Sequence, residues 1–150
     1  MTDTAPTRAP FAQDDLRAVA ERMRDLDICM LSTRAGDAVE TRPMSNNGQV
    51  EYDGDTWFFA RRASAKVSQI EADPRVGMGY IATERGTWLA MEADAEIVDD
   101  VEAKRDRWFE ELRRWFPDGP DDPEVVLIRA AATRVRAWGR DGDLDIRRPG

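Results

Sequence analysis

The chain has 150 residues, 30 of them acidic and 22 basic, for a formal charge of −8. That length buries one core without staples, and that charge opposes nucleic-acid binding, including through the Arg61-Arg62 pair. A single cysteine, Cys29, excludes an internal disulfide and a cysteine-built zinc site, and the absence of histidine excludes Ser-His-Asp catalysis, Cys-His catalysis and histidine-held metals.

Residues 1–11 carry no periodicity and read as a flexible N-terminus ahead of a domain spanning 12–138. Leu16, Val19, Ala20, Met23 and Leu26 recur at three- and four-residue steps, which predicts an amphipathic helix over 12–26. Ile28–Thr33 reads as a buried strand holding Cys29 as a small core residue, ended by a turn at Arg34–Asp37. Val39–Ser45 follows as a strand, with Pro43 confining it to an edge, a bulge or an end. Asn46-Asn47-Gly48 reads as a turn before Val50–Tyr52, and Asp53-Gly54 as a hairpin leading into the strand Thr56–Ala60. Ser64 caps a short helix through about Ala72, with Val67 and Ile70 on its apolar face, and Asp73-Pro74 stops it.

Val76–Ala82 and Thr87–Val98 form a long hairpin around Glu84-Arg85-Gly86. The next helix begins at Asp99 or Asp100, where the Asp99…Glu102 spacing matches a capping box, and carries Val101, Trp108, Leu112 and Trp115 on one face. Pro117–Pro123 is a stiff loop, Val125–Trp138 the last strand, and 139–150 a flexible C-terminal tail. Arg129, Arg134 and Arg136 face solvent or ligand, while Glu92, Asp94 and Glu96 read as exposed alternations, so no acid pair stands out as catalytic. Six strands joined mostly by hairpins, without a strand-helix-strand rhythm, predict a mainly β (α+β) fold: an antiparallel six-stranded barrel, closed or partly open, with flanking helices.

The chemistry concentrates in two segments. Thr41-Arg42-Pro43-Met44-Ser45 and Trp57-Phe58-Phe59 are neighbouring strands, and the second leads to Ser64 and Lys66 at a helix start. A helix start offers unpaired N–H groups and partial positive charge, which favour a phosphate. No acid occurs between Thr56 and Ile70, whereas Arg61, Arg62 and Lys66 do. Aromatic strands leading to a phosphate cradle suggest flavin mononucleotide. The competing readings are plain ones: Ser64 as a simple cap, Lys66 and Arg42 as surface cations, and the aromatic trio as core. Strand alternation sends Trp57 and Phe59 to one side and Phe58 to the other, with the ligand-facing side left open.

These residues resemble the pyridoxamine 5′-phosphate oxidase-like family, in particular its general stress proteins with the FMN-binding split-barrel fold. The resemblance runs from Leu26 to Trp138. It is carried by Asp27–Thr33, Arg42-Pro43-Met44, Asp53-Gly54 before Trp57-Phe58-Phe59, Ser64-Ala65-Lys66-Val67, Asp73-Pro74 and Trp115-Phe116-Pro117 with Gly119-Pro120 and Asp122-Pro123. It implies a homodimer with FMN, or alternatively FAD or a deazaflavin, at the subunit interface. It further implies Arg42, Pro43, Met44 and Ser45 along the ring and ribityl chain, Trp57, Phe58 and Phe59 on the neighbouring strand, and Ser64 and Lys66 on the phosphate. Trp138 is a candidate to border the pocket across the dimer. Two positions depart from the family pattern: Ala60 replaces a threonine hydroxyl of many relatives, and Ala65 an arginine of the oxidase branch. Two functions remain open. One is a flavin-dependent oxidoreductase of unknown small-molecule substrate, working by hydride or electron transfer; the other is a flavin-storing module without turnover. With neither a membrane-length apolar run nor a signal pattern, a cytoplasmic protein without membrane or nucleic-acid partners is expected.

Overall fold

The computed structural model describes residues 11–46 and 51–149. Its elements are α1 (Gln13–Met23), β1 (Ile28–Ala35), β2 (Ala38–Ser45), β3 (Asp55–Arg61), α2 (Ala65–Ala72), β4 (Arg75–Ala82), β5 (Thr87–Val98), α3 (Val101–Arg107), β6 (Val125–Gly139) and β7 (Leu144–Arg147), with short 3₁₀ turns at Thr83–Arg85 and Glu110–Arg114. The strands form one antiparallel sheet in the order β2-β1-β4-β5-β6-β3, and β7 pairs with the upper half of β6. The sheet does not close: β2 and β3 are its two edges.

The alternation of each strand sets what it buries. Cys29, Leu31, Met78, Tyr80, Leu89, Met91, Phe58, Ile128 and Val135 point to one face and form the main core with Val19 and Met23 of α1 and Val67 and Ile70 of α2. The other face carries a second cluster where Phe59, Val125 and Leu127 pack on Leu112 and Phe116. Alternation within the 125–131 half of β6 sends Val126, Ile128 and Ala130 to the main core and Val125 and Leu127 to the second cluster, and the bulge opposite Glu92 and Ala93 switches the core-facing parity, so that Val135 and Ala137 point inward beyond it.

Several expectations change. Asp53-Gly54 is not the corner of a hairpin: Asp55 N–H donates to Asp53 Oδ1, an Asx turn that launches β3, while Tyr52 is buried outside any strand. β3 pairs with β6 rather than with the chain before it. The expected turn Asn46-Asn47-Gly48 and strand start Val50 lie mostly outside the described residues, as does all of 1–11 except Phe11, which is buried in the core. The segment expected as a C-terminal tail, 139–150, contains β7, where Arg134 meets Asp145 through paired hydrogen bonds. Among the described residues the sheet therefore has seven strands, not six.

The single helix expected after Asp99 is broken. Asp100 is its cap, accepting from Ala103 N–H, and α3 ends at Arg107 before the 3₁₀ turn begins. Val101 and Trp115 are exposed, and the buried residue of α3 is Lys104. Its ammonium donates to the carbonyls of Asp122 and Val125 and lies 3.7 Å from Asp99. This buried lysine fastens the helix to the turn that feeds β6.

Candidate functional site

A cleft of about 600 Å³ opens along the split between the sheet's edges, within the roughly 300–1,000 Å³ usual for small-molecule sites. Pro43, Met44 and Ser45 of β2 line it opposite Phe59, Ala60 and Arg61 of β3, and Ser64 and Lys66 join them from the start of α2. The 3₁₀ segment adds Phe109, Glu111 and Leu112, followed by Trp115 and Phe116. Among the described residues β2 pairs only with β1 and β3 only with β6, so each keeps one ladder edge without a strand partner there. Main-chain donors and acceptors on such edges can serve the polar rim of a flat heterocycle.

Lys66 is the centre of the electrostatics. It is half-buried, its pKa is lowered first by desolvation and then by the charge of Arg42, and it makes no ion pair among the described residues. A desolvated ammonium beside a second cation is held in an unfavourable state that a bound anion relieves. The helix start agrees. Ser64 occupies the cap position of α2, but its hydroxyl donates to the Arg61 carbonyl at 2.7 Å instead of accepting from the first turn. No side chain caps α2, and no acidic residue occupies its first turn, so the positive end of its dipole is unneutralised. These residues fit a phosphate.

Arg42 is not in the cleft lining, contrary to its expected place along the ring. Its guanidinium turns toward α2, donating to Thr33 Oγ1 at 2.8 Å, to Gln69 Oε1 at 3.1 Å and to the Leu31 carbonyl. Those acceptors and the Glu40 carboxylate, 3.8 Å away, hold the guanidinium on the α2 side, so what it contributes at Lys66 is charge. The Arg61-Arg62 pair is likewise structural. Arg61 donates to the Trp115 carbonyl and lies over the Phe116 ring, and Arg62 bonds Asp99 and the Pro123 carbonyl.

The aromatic trio divides as alternation requires. Phe58, expected on the strand beside the ligand, is 0% exposed inside the main core and lines neither this cleft nor the cavity adjoining it. Phe59 lines the cleft, edge-on to Trp108 at 5.6 Å. Trp57 lines an adjoining cavity instead, with Arg107 stacked 3.6 Å over its ring. Trp138 lies outside the cleft, in a shallow depression with Arg136 and Asp145. Sequence reasoning missed the wall of Phe109, Trp115 and Phe116, having placed Trp115 on a packed helix face. Trp115 is 64% exposed, and the signal available was Pro117 two residues on, which ends the regular structure there. Asp27 was also missed as a lining residue; it accepts from the Ser45 hydroxyl.

An edge-split antiparallel sheet with this cleft is a split-barrel fold, and solved structures share it. The chain is similar to general stress protein 26 from Bacillus anthracis str. Sterne at 22% identity, covering 90% of this chain and 99% of that one with a TM-score of 0.76. It is similar to the general stress FMN/FAD binding protein from Xanthomonas citri at 18% identity, with 88% and 94% covered and a TM-score of 0.73. It is also similar to a pyridoxamine 5′-phosphate oxidase-related, FMN binding protein from Nostoc punctiforme PCC 73102 at 16% identity, with 89% and 86% covered and a TM-score of 0.69. No curated protein sequence matches. The family model for pyridoxamine 5′-phosphate oxidase-like proteins matches residues 14–145, and the chain belongs to that family.

Proposed function

We propose that the protein binds a flavin nucleotide, FMN in first place, in the cleft between β2 and β3, with the phosphate at Ser64 and Lys66. The observation that carries this reading is Lys66, a desolvated ammonium without an ion-pair partner among the described residues, beside an uncapped helix start. Pro43, Met44 and Ser45 would flank the ring from one side, Phe59 and the Phe109–Phe116 wall from the other, and the open strand edges would take its polar rim. When bound, the isoalloxazine supplies two-electron redox chemistry. The chain's own part is to hold the phosphate, fix the ring plane and shape its access. Trp115 lines the cleft yet stays exposed, so the wall is open to solvent, which favours an oxidoreductase over a sealed flavin store.

The functional unit is a homodimer. Ile28, Met30, Ile81, Trp88 and Trp138 are exposed on the face of the sheet opposite the main core. The register sets Met30 beside Gly79, Gly79 beside Ala90, and Ile81, Trp88 and Trp138 in one row. Flat, apolar and glycine-containing, this face suits a second copy. Pro43 and Ser45 continue it across β2, being paired with Met30 and Ile28, and they also line the cleft. A partner seated there borders the cleft.

The test is flavin titration of the apoprotein with FMN and with riboflavin, which lacks the phosphate. Lys66→Ala should weaken FMN by about 10- to 100-fold, the loss of one charge-assisted contact, and leave riboflavin nearly unchanged. Unaltered FMN affinity in that variant removes the phosphate site. Anaerobic bleaching by a reduced nicotinamide, with recovery in air, separates an oxidoreductase from a store.

A further inference from the structure

The wall of the cleft carries an indole that the fold holds out to solvent. Trp115 is 64% exposed, although Leu112 and Phe116 of the same turn are buried. Its backbone is fixed: Trp115 N–H and Phe116 N–H both donate to the Leu112 carbonyl at 2.9 Å, and the Trp115 carbonyl accepts from the Arg61 guanidinium at 2.7 Å. A lone exposed aromatic needs no explanation by itself. Trp88 and Trp138, also exposed, stand paired in the row of the sheet face that suits a second copy, whereas Trp115 belongs to no strand.

What distinguishes Trp115 is its place beside the phosphate end. The Arg61 that holds it is also bonded to Ser64, its carbonyl accepting from the Ser64 hydroxyl at 2.7 Å and from the Ser64 N–H at 3.0 Å. A chain of hydrogen bonds thus runs from the start of α2 through Arg61 to Trp115, and all three residues line the cleft. Arg114 stands beside the indole, its guanidinium 5.5 Å from the ring centroid, and makes no ion pair among the described residues. That is well short of the close stacking of Arg107 on Trp57 at 3.6 Å, and most of the indole stays open. Glu111 of the same segment also lines the cleft, so what this corner offers a ligand is stacking more than charge.

We propose that Trp115 is a stacking platform for a purine carried on the flavin's phosphate, which makes the cleft a site for the dinucleotide FAD as well as for FMN. This rests on the flavin reading and extends it. A phosphate held at Ser64 and Lys66 sends whatever is esterified to it past Arg61, and the open indole is the flat surface at that end. Adenine has the π face to use it.

The test titrates the full-length apoprotein with FMN and with FAD, as wild type, Trp115→Ala and Trp115→Phe. Trp115→Ala should lower FAD affinity about 5- to 100-fold more than FMN affinity, the worth of one base on an aromatic ring. Trp115→Phe, which keeps a ring, should restore most of that difference. Equal losses for the two nucleotides, or an unchanged FAD affinity, would overturn the proposal and leave the FMN site standing. A Trp115→Ala protein that falls to a monomer by light scattering would overturn it too, by assigning the indole to the second copy. A wild-type protein that takes neither nucleotide would remove the flavin reading itself, and this platform with it.

Discussion

Lys66 shows how one residue's surroundings set its use. Burial beside Arg42 lowers its pKa below that of an unfolded lysine, so between the two values the native state binds fewer protons and stability rises with pH. A phosphate dianion favours the ammonium and opposes this. FMN affinity should therefore fall as pH climbs through the lowered pKa, at a lower pH than an ordinary lysine would give. Titrations at several pH values check this, and Lys66→Arg, which keeps its charge, should flatten the fall. Cys29 is the opposite case. It is 1% exposed, and desolvation lifts its thiol to about 11, so no useful fraction of thiolate exists near neutrality. A disulfide exchange reagent at pH 8 should leave it unmodified in the native protein and label it fully in denaturant.

At the scale of elements, joints between segments carry the cost of change. Lys104 is 1% exposed and ties α3 to the carbonyls of Asp122 and Val125. Lys104→Ala leaves both carbonyls without that donor and opens a void, and should cost about 3 kcal/mol, read as a fall in Tm of roughly 6–12 °C. Gly139 closes β6 at φ 124°, and a Cβ there would fall 1.9 Å from the Gly86 carbonyl oxygen. Gly139→Ala should destabilise by about 3 kcal/mol in urea unfolding. Gly79, whose Cβ would meet nothing, is the control: Gly79→Ala should be neutral or slightly stabilising in the monomer.

For the whole molecule, the outer sheet face decides assembly. Ile81 is 65% exposed in the single chain, so Ile81→Glu removes no core contact. If that face seats a second copy, the change should shift the protein from dimer to monomer by light scattering while leaving its circular dichroism unaltered. Flavin affinity should drop with it, because Pro43 and Ser45 belong both to the cleft and to the continuation of that face. A dimer that persists, or a monomer with full flavin affinity, would separate the cleft from the interface.

Periodicity and turn chemistry determine most of the elements here. The bounds of β4 and β5, the Asp100 cap and the α2 start follow from local pattern, because alternation, capping and proline act within a few residues. That Ser64 and Lys66 would stand together at a helix start was legible for the same reason, the two being neighbours in sequence. What only the tertiary structure decides is which strands leave their edges open and what faces them. Asp53-Gly54 looks like a hairpin until β6 takes β3, Arg42 looks like a ligand group until Thr33 and Gln69 claim it, and Trp115 looks packed until the helix breaks. Each of these outcomes depends on partners distant in the chain, and local sequence carries no record of who will satisfy a hydrogen bond from that far away.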